Sequence, residues 1–418
     1  MRGFFSKEQV QSPYKSEKGI HSCASCGLYK SVESPRMQAY GDFKKNIMVI
    51  GEAPGIDEDE TGKPWEGRTG KIIQRKYKQL GVNIFKDCIN LYAVNCHPKD
   101  KKGNDKAPTE YEISCCRRKV LSEIKKYEPR VIILHGSAAL SSVIGYRWKK
   151  DFGAVSKWTG WTIPDKQFNT WICPTFSPGF IERRIEKEKE LELDILWGNQ
   201  LEKAFQKAKA PFPNFKNEED CVNISESPLD LLTRINDEKP DWFAFDIETT
   251  GLKPYNTKVH KTVCISFCWE DNRAFAIPMP EKKKELKLLK QTLENPKIGK
   301  VAQNMKYEDN WLNILEKIYV YPWIFDTMQA SHILDNRPGI TGLKFQTYVR
   351  FGLMGYDDEI EPYLKSADSN GVNRITELVD DPPSFRELLT YNGIDSLVTY
   401  RLAKLQMKEM GLKKWLNL

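Results

Sequence analysis

The sequence predicts an α/β protein with two domains, a parallel-sheet domain followed by a mixed-sheet domain. In the first half, apolar runs end in Gly or Pro turns and alternate with helical segments, whereas in the second half β-rich runs follow one another directly. A chain of 418 residues also exceeds the usual size of one domain. We therefore expect domains at residues 1–205 and 228–418, joined by a Pro- and Asn-rich linker at 206–227.

Composition narrows the class of protein. The net charge of +7 is mildly basic and fits a nucleic-acid partner. No apolar run approaches the roughly eighteen residues that span a bilayer, so we expect no membrane partner. The ten cysteines are not spaced like a secreted disulfide framework, which favours a reducing cytoplasm, that of the host if the protein is viral.

The first half contains two apolar runs that predict buried parallel strands. Residues 46–50 lead into the turn Gly-Glu-Ala-Pro-Gly at 51–55, and a helix is expected from about Lys71. A second run, 130–135, ends at Gly136 before another helix. Sites in such sheets form at the carboxyl ends of the strands. His97 and His135 each lie by a turn, and we interpret both as structural or solvent-facing rather than as bases, while 182–209 resembles an amphipathic surface helix.

The second half begins with an aromatic-rich run, 242–247, that predicts a central strand. Its alternation places Asp246 and Glu248 on one face and turns Ile247 to the other. The runs 262–269 and 274–278 predict a following meander. Residues 384–406 predict a helix on which Tyr391 and Asp395, four residues apart, share one face.

Four carboxylates from remote parts of the chain form the predicted site: Asp246, Glu248, Glu308 and Asp395. Carboxylates brought together repel one another, so we expect two divalent cations, Mg²⁺ or Mn²⁺, between them. A two-metal site is suited to in-line displacement at phosphorus, and the hydroxyl of Tyr391 can orient or deprotonate the attacking water. The set predicts a nuclease.

The sequence motifs around these residues resemble those of the proofreading 3′–5′ exonucleases that are attached to family A DNA polymerases. That family carries an Asp-Glu-Asp-Asp and Tyr signature. The resemblance covers about residues 228–410 and includes Asp326-Thr327 and Gly342-Leu343-Lys344. It implies a ribonuclease H-like fold, a single-stranded DNA 3′ end as substrate and a DNA polymerase as partner. Glu308 stands where the family usually has Asp, and the adjacent Asp309 is the alternative ligand.

Cysteines in the first half predict a second kind of site. Cys23 and Cys26 form a C-x₂-C pair, and Cys96 and the adjacent Cys115 and Cys116 lie far downstream. One pair plus two separated cysteines suits a four-thiolate iron–sulfur cluster better than a zinc ribbon. The spacing alone leaves iron–sulfur, zinc and unpaired buried thiols open.

Three sequence motifs of the first half resemble those of family 4 uracil-DNA glycosylases, which carry a four-iron cluster. They are Gly-Glu-Ala-Pro-Gly (51–55), Thr-Gly-Lys-Pro-Trp-Glu-Gly-Arg-Thr-Gly (61–70) and the motif that begins with Ala-Pro-Thr at 107 and ends at Cys116. The match covers about residues 22–184. It implies a 4Fe–4S cluster on Cys23, Cys26, Cys96 and Cys116, with Cys115 as the alternative to Cys116. It also implies a uracil-like pocket lined by Glu52, Ala53, Pro54, Gly55, Glu58, Trp65 and Ser177.

Two positions depart from that family. Ser177 stands where the catalytic histidine is expected, and Tyr92 lies near the position of the asparagine that reads uracil. A hydroxyl without charge stabilises a departing uracil anion poorly. We therefore expect a glycosylase-like domain that binds DNA with weak or no glycosylase activity.

The combined interpretation is a phage-like DNA-processing protein, a proofreading-type exonuclease behind a glycosylase-like iron–sulfur domain. The sequence lacks polymerase motifs and stops where a family A polymerase would continue, which predicts a separate exonuclease subunit or the front part of a longer polymerase. One rival is a bifunctional base-excision enzyme with an active glycosylase. The other is a non-catalytic DNA sensor or polymerase scaffold.

Overall fold

The computed structural model describes residues 21–188, 191–214 and 216–412. Two compact units divide the chain: one contains the described residues up to Pro213 together with Tyr348–Leu353, and the other contains Asn214–Thr347 and the described residues from Met354. The passage from the first unit to the second falls within the predicted linker, 206–227. Within the described residues no helix combines the length and the apolar character that crossing a bilayer requires.

A five-stranded sheet forms the centre of the first unit. Its strands are β1 (Ile47–Gly51), β2 (Cys88–Tyr92), β3 (Val131–His135), β4 (Ile163–Asp165) and β5 (Thr170–Thr175), in the spatial order β2-β1-β3-β5-β4. All pairings are parallel except that of the edge strand β4 with β5. Because Gly51 pairs with Tyr92 and His135 pairs with Thr175, the residues expected to line the base pocket emerge at one edge of the sheet.

Seven helices surround this sheet in the described part of the first unit. They are α1 (Ile56–Thr61), α2 (Arg68–Gln79), α3 (Glu110–Tyr127), α4 (Ser137–Leu140), α5 (Val155–Trp158), α6 (Pro178–Glu188) and α7 (Leu191–Lys207). The start of α3 is fixed by a capping box in which Thr109 and Glu112 accept each other's backbone N–H groups.

The prediction of one amphipathic surface helix at 182–209 is wrong. Two helices, α6 and α7, occupy this stretch, and Trp197 and Leu201 of α7 lie fully buried in the core of the first unit. Trp197, Leu201 and Ala204 share one face of α7 and pack on the sheet, while Leu191 and Ile195 of the same helix stay exposed.

A six-stranded mixed sheet forms the centre of the second unit. The strands are β6 (Val222–Asn223), β7 (Trp242–Thr249), β8 (Thr262–Glu270), β9 (Arg273–Pro278), β10 (Gly299–Ala302) and β11 (Trp323–Asp326), in the order β11-β10-β7-β8-β9-β6. The meander β7-β8-β9 is antiparallel, as the sequence predicts, and β10 and β11 add to it in parallel.

The α-helices of the second unit are α8 (Pro228–Glu238), α9 (Lys283–Leu293), α10 (Met305–Trp311), α11 (Thr327–Leu334), α12 (Leu343–Phe351), α13 (Glu361–Leu364), α14 (Ile375–Val379) and α15 (Pro382–Glu409). The residues of α12 from Tyr348 onward are assigned to the first unit. The helix α15 begins where the Asp381 side chain accepts the Ser384 N–H. It packs across β7, β8 and β9, with Leu397 and Ala403 buried against the sheet. This crossing carries residues from the end of the chain to the end of β7.

Candidate nuclease site, cysteine site and base pocket

The first two carboxylates project from the end of β7. Ile247 is buried between them, while Asp246 and Glu248 are half-buried on the opposite face. The pairing of β7 with β8 sets Asp246 beside Ser266 and Glu248 beside Cys264. The alternation predicted from the sequence is therefore the one observed.

Helix α15 brings the third carboxylate to the same point. Asp246, Glu248 and Asp395 each offer an oxygen, and these oxygens all lie within 4.8 Å of one another. Tyr391, one turn earlier on α15, is buried. Burial raises the pKa of Tyr391 well above its usual value, so its hydroxyl remains protonated at neutral pH and can orient a water molecule as a donor.

The three carboxylates fit a cation site. Burial, followed by the neighbouring Asp395 charge, raises the pKa of Asp246 well above the usual carboxyl range. Burial, followed by the charge of Asp246, does the same to Glu248. Several clustered carboxylates of this kind need a positive partner, and an all-oxygen donor set suits Mg²⁺ or Mn²⁺.

Glu308 approaches the site from α10. Its side chain is 2% exposed, and its Oε2 atom has no hydrogen-bond partner. Burial and then the charge of Asp246 raise its pKa well above the usual range, because both groups face the same space. Glu308 does not belong to the group of carboxylates whose oxygens lie within 4.8 Å of one another. An unsatisfied buried carboxylate oxygen beside three others is a further sign of a cation position.

Asp309, the alternative to Glu308, has another partner. Its Oδ1 atom accepts a hydrogen bond of 3.2 Å from the indole N–H of Trp323. The geometry therefore favours Glu308 as the fourth carboxylate of the site.

Asp326 fixes the start of the helix that carries Glu308. Its Oδ1 accepts the N–H groups of Asn304 (3.1 Å) and Met328 (2.8 Å), and its Oδ2 accepts the Met305 N–H (3.0 Å). One carboxylate thus caps the beginnings of both α10 and α11. From the sequence, Asp326 is noted only as part of the Asp326-Thr327 motif of the exonuclease family, without this capping role.

Three polar residues of the site were not predicted from the sequence. Asn392 Nδ2 donates to Asp246 Oδ2 (2.8 Å). Lys344 Nζ donates to both carboxylate oxygens of Asp395, at 2.6 and 2.8 Å, and Tyr356 Oη donates to Asp395 Oδ1 (2.5 Å). Lys344 belongs to the Gly-Leu-Lys motif and Asn392 follows Tyr391 in sequence. Residue spacing alone does not assign a role to either one.

The candidate cysteine cluster gathers thiols from three parts of the first unit. Cys23 and Cys96 contribute to one small apolar cluster, and the Cys26 thiol lies 3.7 Å from the backbone carbonyl oxygen of Cys23. None of the ten cysteines forms a disulfide. Cys96 Sγ accepts the Arg36 N–H at 3.3 Å, and Cys116 Sγ accepts the Asn95 N–H at 3.5 Å. Backbone N–H groups directed at sulfur are among the features that tune iron–sulfur sites, and four soft donors fit such a cluster.

The two adjacent cysteines of α3 differ in their neighbours. Burial raises the pKa of Cys116 well above its usual value, and the nearby sulfurs of Cys96, Cys23 and Cys26 raise it further. Burial also raises the pKa of Cys115, to about 11, but only Cys26 among the other cysteines contributes there. All three remaining cysteines thus act electrostatically on Cys116, which favours it over Cys115 as the fourth ligand.

Trp65 is buried among the residues expected to line the base pocket. It is 4% exposed, its indole N–H donates to Asn90 Oδ1 (3.0 Å), and its backbone N–H donates to Tyr92 Oη (3.0 Å). A Cβ added to Gly51 would lie 2.5 Å from the Trp65 ring and 2.8 Å from the Tyr92 ring. Both rings therefore pack directly on the last residue of β1, and Asn90 is already occupied.

The acidic residues of the pocket loops hold the loops together. Glu58 accepts the N–H groups of Gly55 and Gly67, each at 2.9 Å. Glu52 accepts the Ser137 hydroxyl at 3.0 Å. Ala53 and Pro54 lie between these anchored points, in the turn that precedes α1. Both carboxylates have structural partners, unlike the Oε2 atom of Glu308 in the second unit.

Ser177, His135 and His97 each have a partner within the first unit. The Ser177 Oγ atom accepts the Phe180 N–H at 3.3 Å at the start of α6. His135 is fully buried between the Tyr77 hydroxyl (2.9 Å) and the Phe176 carbonyl (3.1 Å), and burial lowers its pKa to about 4. His97 is buried as well, 2.6 Å from Asp105. Both histidines are structural, and neither is solvent-facing.

Comparisons with known proteins agree with this division of the chain. The model of the uracil DNA glycosylase superfamily matches residues 38–201, and that of the 3′–5′ exonuclease domain of A-type DNA polymerases matches residues 220–410. A type-4 uracil-DNA glycosylase of Saccharolobus solfataricus is 30% identical over 183 residues, which cover 42% of this chain and 80% of the relative.

Two further known proteins are similar to this chain. The DNA polymerase of Bacillus phage SP01 is 23% identical over 415 residues, a match that covers 91% of this chain but 42% of the polymerase. Among solved structures, the Brucella melitensis protein NrnC bound to pGG is 16% identical over 47% of this chain and 82% of its own, with a TM-score of 0.31.

Proposed function

We propose that the chain removes nucleotides from single-stranded DNA 3′ ends in association with a DNA polymerase. The chain belongs to the type-4 uracil-DNA glycosylase family through its amino-terminal half. Its second half carries a 3′–5′ exonuclease domain of the DNA polymerase A type. The observation that carries the exonuclease proposal is the convergence of Asp246, Glu248 and Asp395 within 4.8 Å. The relative in phage SP01, itself a polymerase, supports the proposed partnership.

The residues of this site have distinct roles in the proposed reaction. Asp246, Glu248, Asp395 and Glu308 would hold two divalent cations, which when bound stabilise the attacking and leaving oxygens at phosphorus. Tyr391 would orient the attacking water through its protonated hydroxyl. Asn392 holds the carboxylate of Asp246 in one orientation, so that it presents the same oxygen to the cation.

End-labelled oligonucleotides test the reaction and its direction. With Mn²⁺ or Mg²⁺, a 5′-labelled single strand should give a ladder of shorter products, and a 3′-labelled strand should release labelled mononucleotide from the first cleavage. Chelation of the metal should stop both. A strand that remains full-length with either metal would contradict the proposal and favour a non-catalytic scaffold.

The fourth carboxylate can be tested with a matched pair of variants. Glu308→Ala should abolish cleavage, because it removes the buried oxygen that lacks a partner. Asp309→Ala should leave cleavage close to wild type, because Asp309 contacts only the Trp323 indole among the polar partners observed. The reverse result would assign the ligand to Asp309.

We also propose that the glycosylase-like half binds DNA through a pocket that does not excise uracil. The support is the occupied pocket, in which Trp65 and Tyr92 contact Gly51, and the serine at 177. Reading uracil requires an amide that both donates and accepts along the base edge, and a tyrosine hydroxyl at Tyr92 cannot match that pattern.

Uracil-containing duplex and single-stranded DNA test this part. Wild-type protein should yield no alkali-labile abasic sites while still retarding the DNA on a gel, and the exonuclease-deficient Asp246→Ala variant keeps the DNA intact during the assay. Efficient formation of abasic sites would establish the rival function, base excision. Appearance of weak excision in Ser177→His would support the assignment of the missing group.

A further inference from the structure

We propose that Lys344 is a built-in cation that competes with divalent metal ions for Asp395 and so weakens metal binding at the exonuclease site; this rests on the proposed function. The Lys344 ammonium lies 2.6 and 2.8 Å from the two carboxylate oxygens of Asp395. Both oxygens that a metal would use are therefore already engaged by a positive charge.

The surroundings of Lys344 favour a fixed ammonium. The Tyr356 hydroxyl lies 2.9 Å from Nζ, and Nζ is 4.1 Å from the centroid of the Tyr356 ring and 4.4 Å from that of Tyr391. Two aromatic faces and one carboxylate stabilise a cation at this point. The side chain of Lys344 is 22% exposed and that of Asp395 is 7% exposed, so solvent screens the pair only in part.

Electrostatics gives the direction of the effect. A positive charge beside the site repels an incoming divalent ion, and the ion must also replace the hydrogen bonds that Asp395 makes with Lys344. A neutral side chain of the same length would remove both costs. If Lys344 only oriented Asp395, replacing it would have the opposite effect. Asp395 would lose the group that orients it, and the metal would then bind more weakly.

Direct titration of Mn²⁺ into the full chain separates these two cases. Bound and free Mn²⁺ are measured by electron paramagnetic resonance, and only binding that disappears in Asp246→Ala is counted as binding at the site. Lys344→Met should bind Mn²⁺ at least fivefold more tightly than wild type. Unchanged or weaker binding would overturn the proposal.

Three variants complete the design. Lys284→Met removes an exposed lysine of α9 and should leave the Mn²⁺ affinity unchanged, which controls for loss of net charge. Tyr356→Phe removes a donor to Asp395 but no charge, so any tightening of Mn²⁺ binding should be smaller than that in Lys344→Met. Lys344→Arg keeps the charge and should not tighten binding. If Lys344→Met unfolds, an Arg variant that binds Mn²⁺ fivefold more tightly would equally refute the role of charge.

Cleavage assays add a second readout and separate this inference from the proposed function. In Lys344→Met the metal concentration that gives half-maximal cleavage should fall, while the maximal rate should decrease because Asp395 is less well oriented. A wild-type protein that binds Mn²⁺ at the site but cleaves nothing would refute the exonuclease proposal and leave the competition testable by titration. Equal half-maximal concentrations in wild type and Lys344→Met would refute the competition alone.

Discussion

The carboxylate site and the candidate base pocket each lie at the end of a central strand, β7 and β1, but they differ in how completely the protein satisfies their polar groups. In the pocket, Glu58 and Trp65 have hydrogen-bond partners from the protein itself. In the carboxylate site, Glu308 keeps an oxygen without a partner, and Asp246 and Glu248 are held near like charges. A site prepared for an external group retains unbalanced charge, whereas loops that hold their own shape can satisfy their polar groups internally.

Among the variants that test this difference between the two sites, Asp246→Ala is expected to have the largest effect on the cleavage rate. Removing the carboxylate that the others surround should slow 3′–5′ cleavage by roughly a thousandfold or more, equivalent to about 4 kcal/mol of transition-state stabilisation. Single-turnover cleavage of a labelled strand measures it. Iron content and DNA retardation by the first unit should not change, and cleavage at the wild-type rate would rule out this site.

Iron binding at the cysteine site should depend on Cys116 and not on the adjacent Cys115. Anaerobically purified protein should be brown with about four irons per chain, as a cubane cluster requires. Cys116→Ser and Cys23→Ser should lose the iron and the visible absorbance and destabilise the first unit, while the nuclease remains active. Cys115→Ser is the matched control and should keep the iron. Stoichiometric zinc in place of iron would show that the assignment is wrong.

Smaller effects are expected from the two residues that orient groups without binding metal. Asn392→Ala removes a hydrogen bond to a charged group, worth about 1.5–3 kcal/mol, so cleavage should slow roughly tenfold to a hundredfold. Tyr391→Phe should be milder, about tenfold, because water keeps its metal-derived activation. Both variants should bind Mn²⁺ with little change in stoichiometry. Loss of bound Mn²⁺ in either would identify a ligand role instead.

The smallest predicted effect is a pH dependence of stability in the metal-free protein. Burial and like charges raise the folded-state pKa of Asp246, Glu248 and Glu308. A raised folded-state pKa contributes stability that is complete below the ordinary carboxyl pKa, about 4, and is lost as the pH rises through the raised value.

Chelated protein should therefore melt several degrees lower at about pH 8 than at about pH 5.5, and added Mg²⁺ should raise the melting temperature most at the higher pH. Differential scanning calorimetry of the second unit's transition measures both effects. Glu308→Gln should reduce the pH dependence, and Lys284→Met should not. A melting temperature that rises with pH in the absence of metal would contradict the assigned pKa shifts.

Much of the carboxylate site could be predicted because its residues obey local rules. Period-two alternation places Asp246 beside Glu248, and helical spacing places Tyr391 beside Asp395. Lys344 of α12 reaches Asp395 and Asn392 of α15 reaches Asp246 through contacts between residues far apart in sequence, which no local pattern encodes. The burial of α7 escaped prediction for the same reason, because its charged residues suggested a surface helix while Trp197 anchors it in the core.

The backbone of Trp65 has a consequence for engineering. Its φ of 64° lies in the left-handed region, which costs a non-glycine residue about 1–2 kcal/mol. Trp65→Gly would relieve that strain and leave a cavity of indole size, with the Asn90 amide oxygen facing it. Such a variant offers a receptor for small aromatic molecules that donate one hydrogen bond, so that added indole could restore stability in a dose-dependent way.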